Sequence, residues 1–218
     1  MNVRNYIKIL VLTFSISSCT HEKSIDEGTK SISADLQVDH LNIWVKNPQK
    51  AKERLMAIGF SSVPDSLSEI HDGQGTAGRY FYFLNDYLEL IFVYDQKELE
   101  ENNEKNKDLD FTERANFESN GASPFSIALK LKDYDIEKIP FKKVRYHQNW
   151  MEENANIFSA RNSKTHLNEP SIFVIYPEIE SGIFESLSEL QNFPSEDDFW
   201  KEFFTHPNGA KKVTDIII

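Results

Sequence analysis

Between Gln37 and Tyr94 the apolar and polar residues follow two clear periods. QVDHLNIWV alternates, with Leu41, Ile43 and Val45 on one face and His40, Asn42 and Trp44 on the other. The polar second face predicts a strand that lines a cavity. Asn47-Pro48 is a helix start, in which Asn caps and Pro suits the first turn. Ala51, Leu55 and Ile58 follow at helical spacing, and Gly59 suits the left-handed end of the helix. Phe60–Pro64 is predicted as a short strand and Leu67–Gly78 as a loop. RYFYFL (79–84) and YLELIFVY (87–94) are strands joined by the Asn85-Asp86 turn. In the last strand Leu88, Leu90 and Phe92 face one way, and Tyr87, Glu89, Ile91 and Val93 the other. A carboxylate between Leu88 and Leu90 is costly to bury unless it is paired, hydrogen-bonded or metal-bound.

The second half has a weaker pattern. Gln96–Asp110 is charged and of low complexity, a solvated helix or connector with no site role. PFSIALKL (124–131) is a strand. Tyr134–Lys143 occupies the place of a helix, but Pro140 keeps it short. Ile157–Ala160 and Ser171–Tyr176 pair as strands, a short helix follows Pro194, and Val213–Ile218 closes the sheet as a final strand.

Composition narrows the class. The chain has 218 residues, 39% of them hydrophobic, enough for one compact domain or two small fused modules. Residues 1–18 carry Arg4 and Lys8, no acid, and the apolar run ILVLTFSI. That run is far shorter than the roughly 20 residues of a membrane span and reads as a signal-peptide core. Ile16-Ser17-Ser18-Cys19 resembles the lipobox of bacterial lipoproteins, which implies cleavage before Cys19, its acylation, and anchoring to a membrane of the cell envelope. Cys19 is the single cysteine, so no internal disulfide forms. Residues 19–35 form a polar tether. Without residues 1–18 the chain keeps 22 basic against 35 acidic residues, moving the net charge from −11 to −13. Such a surface repels nucleic acid. Gly73-Gln74-Gly75 lacks the Lys-Ser/Thr of a phosphate loop, and no Ser/His/Asp nucleophile motif is present.

Three motifs in order carry a further resemblance: Asp39-His40; His71, Gly73 and Gly75-Thr76-Ala77; and Tyr87-Leu88-Glu89-Leu90. With the late HPNGA segment (206–210), they resemble the glyoxalase-like subgroup of the vicinal oxygen chelate superfamily. The resemblance implies an α+β fold of paired βαβββ modules that form a curved mixed sheet around a cavity. The second module is degenerate. It spans 36–218, as a first module (36–95), a connector (96–122), and a second module with closing strand (123–218). Metal-dependent members take a His or Gln from the first strand and a Glu from the last strand of each module. Here His40 and Glu89 are the metal candidates, with Glu89 also catalytic as a proton carrier. The second module offers only Ser126 and Phe173–Tyr176 at the matching places. His71, His147, His166 and His206 are supplements, with His71 and His206 favoured by their motifs. Trp44, Asn42, His71, Arg79, Tyr87 and His206 are the substrate-binding candidates, and Phe81 and Phe83 add to an aromatic wall. Three readings stay open. One is an enzyme acting on a small vicinal-oxygen molecule, with or without a divalent metal of unspecified identity. The second is a non-catalytic protein that binds or sequesters such a molecule. The third is a degenerate structural or partner-binding module. Oligomeric state is not set by the sequence.

Overall fold

The computed structural model describes residues 36–131, 135–148, 151, 153–176 and 183–217. The signal peptide, Cys19 and the tether lie outside the described residues. No helix among the described residues is long and apolar enough to cross a membrane.

The first half contains β1 (Leu36–Trp44), α1 (Pro48–Ala57), β2 (Ile70–His71), β3 (Thr76–Ala77), β4 (Tyr80–Tyr82) and β5 (Tyr87–Val93). Asn47 caps α1 as its sequence demands, its side chain accepting from Lys50 N at 2.9 Å, and Gly59 takes φ +90° after the helix. β3 and β4 hold one continuous antiparallel register on β5, from Thr76↔Val93 to Tyr82↔Tyr87, and Arg79 and Leu90 exchange both backbone bonds between them. They act as one strand, with Gly78 and Arg79 between its two parts. The second strand of the module is Ile70–His71, inside the stretch expected to be a loop. Phe60–Pro64 forms no strand, although Val63 N still bonds Tyr80 O.

A helical connector follows, with α2 (Gln96–Lys105), α3 (Phe111–Ala115) and α4 (Phe117–Asn120). The second half holds β6 (Phe125–Leu131), β7 (Lys143–Tyr146), β8 (Ile157–Ala160) and β9 (Ser171–Val174), then α5 (Leu187–Asn192) and a 3-10 turn at Phe199–Phe204. Where the first half has α1, the described residues of the second have only a 3-10 turn at Ile136–Lys138.

The nine described strands form one mixed sheet, strongly curled into a half-barrel, in the order β2-β3-β5-β1-β6-β9-β8-β7 with β4 also on β5. β1 runs parallel to β5, and β6 parallel to β9, so each half repeats the same order of strands. The halves join through the antiparallel pair β1–β6. This is the paired α+β architecture with a degenerate second module.

Parity along each strand decides what faces the cavity. On the outer face Phe81, Phe83 and Leu90 pack under Ala51, Leu55 and Phe60. Burial of each large side chain there contributes roughly 1.5–3 kcal/mol. The opposite residues turn inward. Residues 211–217 form no strand, contrary to the closing strand expected. They are clipped to the β4–β5 turn by Leu84 N→Lys211 O (2.8 Å) and by both amide atoms of Asn85 on the Val213 backbone.

Candidate functional site

The curled sheet encloses a cavity of about 760 Å³, a size usual for small-molecule sites. His40, Asn42 and Trp44 of β1 reach it, as do Tyr87, Glu89 and Ile91 of β5. From RYFYFL, Tyr80 and Tyr82 line the wall, as Tyr80 pairs with Glu89 and Tyr82 with Tyr87, and Phe83 reaches it as expected. Phe81 is buried on the helix side, which corrects its expected place in the aromatic wall.

His40 owes its setting to an irregularity in β1. The pairing with β6 steps from Val38↔Leu129 to His40↔Ala128, leaving Asp39 as a bulge. Both Asp39 and His40 are therefore buried, side by side. His40 Nδ1 bonds Asp39 Oδ1 at 2.7 Å, and Asp39 Oδ2 accepts from Lys130 Nζ at 3.2 Å. The His40 ring stacks on Tyr87 at 4.2 Å. Burial lowers the His40 pKa, with the Asp39 hydrogen bond and charge opposing and Lys130 adding to the fall. A neutral imidazole with Nδ1–H on Asp39 leaves Nε2 as an acceptor.

Glu89 sits with His71 and Tyr80. Its Oε1 lies 3.5 Å from both Tyr80 OH and His71 Nε2. His71 Nδ1 is 2.8 Å from Thr76 Oγ1. Burial, with the nearby charge of Glu69, pushes the Glu89 carboxyl up to about 8. Burial, then His40, brings His71 down to about 4. The His71–Glu89 approach is therefore one between largely neutral groups near pH 7, not an ion pair. Gly78 makes room for this group: a Cβ there would stand 2.3 Å from Tyr80 OH and 2.6 Å from Glu89 Oε1.

The loop that carries His71 is held from the connector. Glu98 of α2 accepts from Gly73 N (2.7 Å) and Gly75 N (2.9 Å) with its two carboxylate oxygens. Gly75 has φ +79°, and a Cβ on it would meet Leu99 N at 2.2 Å. The connector also builds the wall, through Leu109, Asp110, Phe111 and Arg114. The expectation that Gln96–Asp110 has no place at the site fails here. Its charged sequence conceals buried Leu99 and Leu109.

Two expected binding residues lie elsewhere. Arg79 turns to the outer face, 4.9 Å from the Phe92 ring centre and 3.1 Å from Asp65. Its strand parity is opposite to that of Tyr80. His206 is wedged between Phe60 and Phe83, where its ring nitrogens meet Ser61 N and Tyr82 O, both at 2.9 Å. The HPNGA segment is a clip, and Asn208 bonds Gly59 O and Ile58 O around the end of α1. His147 and His166 bond nearby loop backbone outside the cavity.

The metal expected on His40 and Glu89 does not fit the donor set. The second half places Ser126 and Ala128 on β6, next to β1, and Ser171 and Phe173 on β9, one strand further on. Among the described residues no three His, Cys, Asp or Glu side chains converge as a metal group. Divalent ions held by imidazole and carboxylate need three or more such ligands. The Phe173 ring instead lies edge-on to His40 at 5.8 Å.

This half-barrel of paired modules is the architecture that the sequence resemblance implied. The model of the glyoxalase-like domain family matches residues 38–157, more than half of the chain, and the chain belongs to that family. No curated protein matches it by sequence. Among solved structures it is similar to methylmalonyl-CoA epimerase from Mycobacterium tuberculosis, at 14% identity over 65% of this chain and 89% of that one, TM-score 0.41. A hypothetical protein from Bacillus halodurans C-125 gives 9% identity over 67% and 99%, TM-score 0.41. A methylmalonyl-CoA epimerase in complex with methylmalonyl-CoA and NH4+ gives 15% identity over 66% and 96%, TM-score 0.41.

Proposed function

We propose that the chain binds a small vicinal-oxygen molecule, of the hydroxy-carbonyl type, in the cup between its two halves and moves a proton on it. The observation that supports this reading is a pair of titratable groups in one cavity pushed in opposite directions. His40 is held neutral, with Asp39 behind it, while Glu89 holds its proton to about 8. Such opposed shifts are how one site supplies both a base and an acid near pH 7. His40 Nε2 would take the proton from the carbon beside the carbonyl. Glu89 would give its proton to the carbonyl oxygen as the enediol forms, and the reverse transfers would restore the carbonyl. His71 and Tyr80 position Glu89.

Dihydroxyacetone in D2O is a direct probe, with loss of its C–H signal followed by proton NMR. The wild type is expected to exchange it faster than buffer, and His40→Gln to be slower by about 10²-fold or more. Exchange no faster than buffer, with binding still seen by Trp44 fluorescence, would replace the catalytic reading with sequestration. That second reading is favoured by Ser126, Ala128, Ser171 and Phe173, which put neutral groups opposite the pair.

The lipobox-like Ile16–Cys19 supports a location at the cell envelope through lipid on Cys19. Cys19→Ser is expected to shift the protein from the membrane fraction to the soluble one. Unchanged detergent-dependent partitioning of that variant would refute the anchor.

A further inference from the structure

The strand registers lay out the floor of the cup in rows. At one level Tyr80, Glu89, Asn42, Ser126 and Ser171 stand side by side on β4, β5, β1, β6 and β9. All five line the cavity. The next row is Tyr82, Tyr87, His40, Ala128 and Phe173, and on the other side Ile91 stands beside Trp44. A polar stripe thus runs between two rows that are mostly aromatic or apolar. Neighbouring strands lie about 4.8 Å apart, so Glu89 to Ser171 covers roughly 14 Å.

At the centre of the stripe Asn42 is 7% exposed, and its Oδ1 is buried with no hydrogen-bond partner among the described residues. A buried amide oxygen left unmet is destabilising, and an aliphatic side chain would suit this position in β1 better. Asn42 lines the cavity, so a turn of its amide would present this acceptor to something that enters.

Charge limits what that can be. The lining carries Glu69, Asp72 and Asp110 against Arg114, beside Glu89 and Asp86, whose carboxyls burial pushes up to about 8 and about 7. The Arg114 guanidinium is turned to Asp110 Oδ2 and the backbone carbonyls of Ser123, Ser163, Leu167 and Glu169. Lys130 is engaged by Asp39. Among the described lining residues a carboxylate or phosphate would find acids and no cation that is not already held by protein acceptors.

We infer that the cup takes a neutral, polyhydroxylated molecule of mono- to disaccharide size, laid along the Glu89–Asn42–Ser126–Ser171 stripe, and discriminates against anions. Its C–H faces would rest on Tyr87, Trp44 and Phe173, and one hydroxyl would donate to Asn42 Oδ1 after the amide turns toward the cavity. This inference rests on the binding half of the proposed function and names its ligand class.

The test is calorimetric titration of the full-length protein in a detergent without sugar, using matched probes: glucose and maltose against glucuronate and glucose 6-phosphate. Dihydroxyacetone serves as a control for the cup itself. Neutral sugars should bind, and the anions at least about tenfold more weakly. Asn42→Leu should weaken sugar binding by about tenfold or more, yet raise Tm by a few degrees because the unmet oxygen is gone. Anions binding as tightly as sugars, or full sugar binding by Asn42→Leu, would overturn the inference. Binding of dihydroxyacetone alone would overturn it and leave the proposed function standing. If none of the probes binds, both fall.

Discussion

Arg114→Leu is expected to leave little folded protein. Arg114 is 1% exposed and is among the largest fully buried side chains. Its Nε donates to Asp110 Oδ2 at 2.7 Å. Nη1 reaches the carbonyls of Ser123 (3.0 Å), Leu167 (2.8 Å) and Glu169 (2.7 Å), and Nη2 that of Ser163 (3.0 Å). One side chain on α3 thus ties the connector to two loops of the second half. Leucine would fill part of the volume but strip the donor from the carbonyls of Ser123, Ser163 and Glu169 and from a largely buried carboxylate, while Leu167 O keeps Ser123 N at 2.6 Å. Each orphaned neutral group costs about 1–3 kcal/mol, and an unpaired buried charge about 3–5 kcal/mol. The sum rivals the roughly 5–15 kcal/mol that holds a domain folded. Lysine keeps the charge but not the planar fork, so Arg114→Lys should recover only a part. Urea denaturation followed by tryptophan fluorescence checks this. A wild-type midpoint for Arg114→Leu would show that the cluster does not hold the halves together.

Glu89→Gln is expected to stabilise the protein, and increasingly so as pH rises. The carboxyl of Glu89 titrates at about 8 when folded against 4.5 when free, because burial penalises its charge. Between these values the unfolded chain gives up a proton that the native chain keeps. Stability therefore falls as pH climbs from about 4.5 and reaches its full loss above 8. At about 1.4 kcal/mol per tenfold change in proton affinity, the loss is on the order of 3–5 kcal/mol at pH 9. Glutamine mimics the neutral acid and cannot ionise, so the variant should match wild type near pH 4.5 and exceed it at pH 9. His71 works at the other end. Its folded pKa of about 4 lies below the free value of 6.5, so its share of stability is present above 6.5 and lost as pH falls toward 4. Parallel pH–stability curves for wild type and Glu89→Gln would mean that Glu89 is ionised in the fold.

Much of this site was legible in the sequence wherever one strand alternated cleanly. Alternation in QVDHLNIWV placed His40, Asn42 and Trp44 together, and YLELIFV did the same for Tyr87 and Glu89. The Asn47 cap and Gly59 bounded α1 because their signals are local. Parts that depend on distant partners were hidden. RYFYFL is apolar on both faces, so only its register on β5 shows that Tyr80 and Tyr82 turn inward. Asp110 and Arg114, four residues apart on a charged stretch, have the spacing of a surface pair, yet Arg114 is buried by carbonyls from up to 55 residues away. The Asp39 bulge appears only when β1 is paired with β6. His206 carries a binding-like motif, but its ring is spent on Ser61 N and Tyr82 O.

The proton pair is tested most directly by NMR of the wild-type protein with carbon-13 in the glutamate carboxyls and nitrogen-15 in the histidines, titrated from pH 5 to 9. The account predicts one buried carboxyl that titrates near 8 and disappears in Glu89→Gln, with His40 neutral and protonated on Nδ1 at pH 7. A Glu89 carboxyl already ionised at pH 6, or a His40 that carries both protons at pH 7, would contradict it.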